Sequence, residues 1–186
     1  MRRLAHDARF AARADTMASG EHIPWAGPYA QPMPVEPSRT LVSACLAGAA
    51  CRYDGRARPD AGAIALVNDG AIPVCAEVLA GFSTPRPAAE IVSGDGEDVL
   101  DGRARVIENT GEDVTQAFID GARRAADLAT QRGVTHAVLQ GCSPSCGCTS
   151  IYDGTNTGTQ RPGMGVFAAE LRRRGLTLEE RRGRAI

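Results

Sequence analysis

Aromatic side chains are scarce in this 186-residue chain, at 4% of residues. A core without them must be built from Ala, Val, Leu and Ile, and stacking platforms for nucleobases are few. Charge of one sign is lacking too: the formal net charge is -1, which leaves no electrostatic footprint for duplex nucleic acid or an anionic membrane surface. No apolar run approaches the roughly 20 residues that a spanning helix needs. A small neutral or weakly charged substrate is the partner this balance favours, taken up by a monomer or homodimer with no nucleic acid duplex and no membrane. An apolar signal-peptide core and a regularly spaced disulfide framework are also missing. The six cysteines therefore read as those of a cytoplasmic protein, where thiols more often bind metal or do chemistry. Local C-x-x-C pairs, the usual clamps of structural zinc, are absent as well.

What is present begins with an extension. Residues 1–39 are rich in Arg, Ala and Pro, with Pro24, Pro28, Pro32, Pro34 and Pro37 punctuating the second half; they are expected to form an extended, disordered arm. Residues 40–186 form the domain. Thr40 to Cys45 reads as a short apolar strand, Pro59 to Asp69 as a helix, and Ala71 to Glu77 as a second strand. Pro85 and Pro87 make Gly81 to Val92 a loop, and Asp101-Gly102 predicts a hairpin over Asp98 to Asn109. Phe118 to Arg132 keeps a helical period. Gly133 to Gln140 is a short, buried, parallel-type strand. Thr149 to Gly154 is a short strand or turn, Thr155 to Gly163 a polar loop, Gly165 to Arg174 a last helix, and Gly175 to Leu178 an edge strand before a frayed tail. The alternation predicts a three-layer α/β sandwich with a largely parallel, Rossmann-like sheet and a small β-hairpin insertion.

The cysteines follow the strands. Cys45 and Cys75 each come where a strand stops, and Cys146 lies in Gly141 to Cys148 (G-C-S-P-S-C-G-C), just past a third. Strand ends meet in the ligand crevice of an open α/β sheet, so three thiols would face one point. Soft sulfur donors select zinc or an iron–sulfur cluster, and three ligands leave a coordination position open for Lewis-acid chemistry. Cys51, Cys142 and Cys148 could supply a fourth ligand or simply pack, as free cysteines commonly do. Glu77, two residues past Cys75, is placed to act as a general base or to orient water. Ser143 and Ser145 could cap a turn or bond a substrate. Arg86 and Glu90 read as an ordinary surface pair, and Tyr53, Tyr152 and His136 as structural.

Several motifs occur together in one order. They are V-S-A-C-L at Val42 to Leu46, C-R-Y-D-G at Cys51 to Gly55, P-V-C-A-E at Pro73 to Glu77 and T-P-R-P-A-A-E at Thr84 to Glu90. D-G-E-D-V at Asp95 to Val99, D-V-T at Asp113 to Thr115, S-P-S-C-G at Ser143 to Gly147 and I-Y-D-G-T at Ile151 to Thr155 follow. In these the chain resembles the DUF523 family, which includes the thiouracil desulfurases (desulfidases). The resemblance implies a 4Fe-4S cluster bound by Cys45, Cys75 and Cys146, with one iron free for the sulfur of a thiolated pyrimidine. It places Glu77 and Ser143 in catalysis and Ser145 and Arg86 against the substrate. Ala76 stands where the family usually has a second proline, and Cys142 and Cys148 are additional thiols. The rival expectations are a cluster-dependent sulfur transfer enzyme and a non-enzymatic metal-binding or redox-sensing module.

Overall fold

The computed structural model describes residues 39–184; apart from Arg39, the amino-terminal arm lies outside them. In chain order the elements are β1 (Thr40–Ser43), α1 (Ala61–Asn68), β2 (Ile72–Val74), α2 (Ala76–Leu79), β3 (Ala89–Val92), α3 (Gly96–Leu100) and β4 (Arg105–Glu108). They continue with α4 (Thr115–Gln131), β5 (His136–Gln140), β6 (Ser150–Tyr152), β7 (Gln160–Pro162), α5 (Val166–Arg173) and β8 (Thr177–Arg181). Four strands form a sheet in the order β2-β1-β5-β8, parallel throughout.

Side-chain alternation along the strands divides the core between the two faces of this sheet. Val42 and Val138 pack with Ala63 of α1 on one face, while Leu41, Ala137 and Leu139 join Phe118 and the alanines of α4 and Phe167 of α5 on the other. Both faces being covered is why β1 and β5 read as unbroken apolar runs. The result is the expected three-layer α/β arrangement. Scarcity of aromatics shows in α4, whose buried face beyond Phe118 and Gly121 is Ala122, Ala125, Ala126 and Ala129. Small residues let neighbours approach closely: a Cβ on Gly121 would stand 2.3 Å from the carbonyl oxygen of Ala76 in α2. One aromatic pair closes that end, Phe82 against Phe118 at 5.4 Å between centroids, an edge-to-face contact.

The helix expected at Pro59 to Asp69 starts two residues later, at Ala61, because Asp60 is its cap. Its carboxylate accepts from the Ala63 amide at 2.9 Å and from Arg181 Nη1 of β8 at 2.9 Å, tying helix to sheet edge. Both groups hold the Asp60 carboxyl below the usual range, the Ala63 amide most. Asp60→Ala should lower the unfolding free energy by about 1 kcal/mol from the lost cap, with the half-exposed Arg181 pair adding less. A lower urea midpoint at unchanged slope would record it; an unchanged midpoint would refute the capping role.

Four segments depart from expectation. The hairpin predicted over Asp98 to Asn109 is not one: Asp95 and Asp98 form a capping box that starts α3, and β4 pairs instead with β3, antiparallel, Ala89 opposite Glu108. The Asp101-Gly102 turn is real, with Gly102 at φ +74°, but it joins a helix to a strand. β3 was hidden because Pro85 and Pro87 precede it; they end before Ala89, where the ladder begins. The tail after Leu178 is ordered into β8, which runs to Arg181 beside Gln140. Within the polar stretch Thr155 to Gly163, β7 pairs with β6. His136 is half-buried and faces Glu179 at 3.5 Å, a partner on the neighbouring strand and not a core contact.

Candidate functional site

Three adjacent strands deliver the three cysteines. The chain leaves β1 toward β2 on one side, and β5 adjoins it on the other, so the crevice beyond their carboxyl ends lies at the change of direction where open α/β sheets bind ligands. The ladder continues one step past β1, with the Ala44 amide donating to the Val74 carbonyl at 2.9 Å, and this fixes Cys45. Cys75 follows β2 directly and occupies the cap position of α2.

Cys146 needs more support because it sits in a loop. Ser143 Oγ accepts from the amides of Ser145 and Cys146, each at 3.1 Å. Glu180 of β8 accepts from the amides of Cys148 at 2.9 Å and Thr149 at 3.0 Å. The first amides of α5 close the other side: Val166 donates to the Pro144 carbonyl at 2.8 Å and Phe167 to that of Ser145 at 2.9 Å. The loop thereby satisfies helix donors that would otherwise lack partners. Contact is so close that a Cβ on Gly165 would lie 2.4 Å from the Ser145 carbonyl oxygen.

Cys45, Cys75 and Cys146 line one cavity of about 290 Å³, together with Cys51, Cys142, Glu77, Arg86 and Ser143. Burial pushes the Cys146 thiol well above its ordinary range. Cys75 is also raised, first by its hydrogen bond with Cys51 and then by burial. Cys51 rises to about 11, chiefly through its hydrogen bond with Cys45. These thiols keep their protons at neutral pH, and a soft cation among them would displace those protons. Cys148 rises to about 12 by burial; it packs against the core and is not part of the cavity wall. Cys142 reaches the cavity with φ +55° and donates to Gln160 Oε1 at 3.1 Å.

The carboxylates differ from the sequence reading. Arg86 does not pair with Glu90. Its Nε donates to Glu77 Oε2 at 2.8 Å and its Nη2 to the same oxygen. The pair is largely enclosed, with side-chain exposures of 5% for Arg86 and 16% for Glu77. Glu90 is buried because its Oε2 accepts from the amides of Gly154 at 2.9 Å and Asn156 at 3.0 Å. Ser145, expected against the substrate, is 2% exposed and stands behind the cavity wall. Tyr53 and Tyr152, read as structural, line the cavity.

Sequence reasoning passed over Ser43 and Gln140, both buried and both on the cavity wall. The Gln140 amide donates to Ser43 Oγ at 3.1 Å, joining the ends of β5 and β1. Their signal was position alone: each is the last residue of a strand whose next loop carries a cysteine. Glu180 was missed because its segment reads as a charged tail.

The donor set is rich in sulfur, and soft thiolates suit an iron–sulfur cluster or zinc. Among the described residues no three of His, Cys, Asp or Glu are grouped to hold a single metal ion. One tetrahedral ion would draw its thiolates tightly together, at Zn–S of about 2.3 Å, whereas a cubane receives each on a different iron. A thiol-lined crevice at the strand ends of a parallel α/β domain, with a carboxylate beside it, is the framework of a protein for a sulfur-ligated metal centre. Residues 40–181 match the family model described as 2-thiouracil desulfurase, and the chain belongs to that family. It is 43% identical over 136 residues to the uncharacterized protein YbbK of Bacillus subtilis (strain 168), a match covering 73% of this chain and 90% of that protein. A solved structure titled [4Fe-4S]-dependent thiouracil desulfidase TudS superposes with a TM-score of 0.66 at 38% identity, covering 76% of this chain and 89% of that one. No helix among the described residues is long and apolar enough to cross a membrane.

Proposed function

We propose that this chain hydrolyses the C–S bond of a thiolated pyrimidine such as thiouracil, using a 4Fe-4S cluster held by Cys45, Cys75 and Cys146. The supporting observation is that these three thiols reach one cavity from the ends of three neighbouring strands, beside Glu77. When bound, the cluster supplies a Lewis-acidic iron with an open position for the thiocarbonyl sulfur. Glu77, in the first turn of α2, takes a proton from water as the water oxygen adds to the ring carbon. The hydroxyl proton that remains passes to sulfur as the C–S bond breaks, sulfur leaves as hydrosulfide, and the oxygen becomes the ring carbonyl without net electron transfer. Ser143 Oγ already accepts two amides, so its own proton is free to donate to the ring. Phe82, Phe118 and Pro144 supply apolar wall against the ring faces.

Anaerobic iron and acid-labile sulfide analysis, run beside a thiouracil assay, tests this. About four irons per chain are expected, with one hydrosulfide released for each uracil formed. Desulfuration by iron-free protein, or iron-loaded protein that releases no sulfide, would sink it. Sulfide handed to an added acceptor instead of released would favour a sulfur transfer enzyme.

One observation favours a different class. Cys51 lines the same cavity as Cys45 and Cys75, and a fourth thiolate would close the metal to substrate, leaving a binding or sensing module. The hydrolytic reading predicts that Cys51→Ala keeps about four irons and turns over within a few-fold of the parent. Loss of the iron with that one thiol would favour the closed site.

A further inference from the structure

The guanidinium of Arg86 is almost fully committed inside the protein. An arginine side chain offers five N–H donors. Nε–H and an Nη2 hydrogen go to Glu77 Oε2. Nη1 is directed at the carbonyls of Cys51 and Ser83, each at 3.1 Å, and at Thr84 Oγ1 at 3.4 Å. At most one N–H is left, too few for the two-pronged grip that makes arginine a substrate clamp. The residue is itself fixed at its backbone, since the Arg86 amide donates to the Tyr53 carbonyl at 2.9 Å.

We propose that Arg86 is a positioning residue for Glu77 and does not bind substrate. Both Arg86 bonds fall on Oε2, and this orients the carboxylate so that Oε1 is the oxygen available to receive the proton of the attacking water. Anchorage comes from the Cys51 carbonyl, which also lies 4.0 Å from the Cys75 thiol. Arg86 thus sets the base in register with the segment that packs on a cluster ligand. Preorganisation of this kind acts on the chemical step: an ångström of misplacement costs about 100-fold in rate, while ground-state affinity is unaffected.

The inference rests on Glu77 acting as the base, and kinetics with thiouracil on the iron-loaded protein separate the two. Arg86→Gln should lower kcat about 100-fold with KM within about twofold. Arg86→Lys should recover part of the loss, since an ammonium keeps the charge but not the fork. Guanidinium added to Arg86→Ala should restore turnover. The double variant E77Q/R86Q should be no slower than E77Q alone, because the second change removes support from a group already gone. Cluster absorption and melting temperature report whether each variant is intact. Should Arg86→Gln lose the cluster, Arg86→Lys decides by the same split between kcat and KM. A raised KM at unchanged kcat, or a further 100-fold loss in the double variant, would overturn the positioning role. An E77Q protein turning over at the parent rate would instead remove the base, and Arg86's role with it.

Discussion

Cys75→Ala protein will be colourless and inactive, with iron falling from about four per chain to near zero. The expectation follows from where the residue stands. Cys75 is the first residue past β2, between the ends of that strand and α2, so no neighbouring backbone can swing a substitute thiol into its place. Cys51 is the nearest alternative, but it sits on a separate loop whose carbonyl is already held by Arg86. Folding should survive the change, because alanine fills most of the space of the thiol, whose bond to the Cys51 carbonyl is long at 4.0 Å. Cys148→Ala provides the contrast. Its thiol faces its own loop and the core, so iron and turnover should both persist. Four irons retained in Cys75→Ala, measured anaerobically, would remove Cys75 from the ligand set.

Glu77→Gln should separate colour from catalysis. The amide is nearly the same shape and can still accept from Arg86, so cluster absorption should match the parent. Its oxygen is too weak a base to take a proton from water, and kcat should fall by about 100- to 10,000-fold, the usual range for loss of a general base. That corresponds to about 3–5 kcal/mol of barrier. Stopped assays for released hydrosulfide, corrected for iron content, would measure it. A Glu77→Gln enzyme at full speed would mean that the water is activated elsewhere in the cavity.

Much of this was legible from residue order, for a physical reason. β1 and β5 are apolar runs because both faces of a parallel sheet are buried there, the edge strand β2 is a shorter run, and each stops abruptly where the chain meets the crevice. A cysteine placed just past each stop therefore reads as a site from residue order alone. Partnerships set by tertiary contact could not. Arg86 and Glu90 are close in sequence, yet Arg86 reaches Glu77 and Glu90 reaches the amides of Gly154 and Asn156. The Asp101-Gly102 turn was sound local chemistry, but the strand after it pairs with β3 and not with the residues before it. β8 was concealed by charge: at a sheet edge Glu179, Glu180 and Arg181 can point outward or along the rim while the backbone pairs with β5.

The seating of the Cys146 loop on the start of α5 has a further consequence for how this protein can be shortened. A chain ended at Gly158 would keep every thiol, together with Glu77, Arg86 and Ser143. It would lose the amides of Val166 and Phe167 and the Glu180 carboxylate that clasp the loop. The final stretch of the polypeptide, which carries none of the reacting groups, works as the keystone of the arch, and without it the third sulfur would have no fixed address.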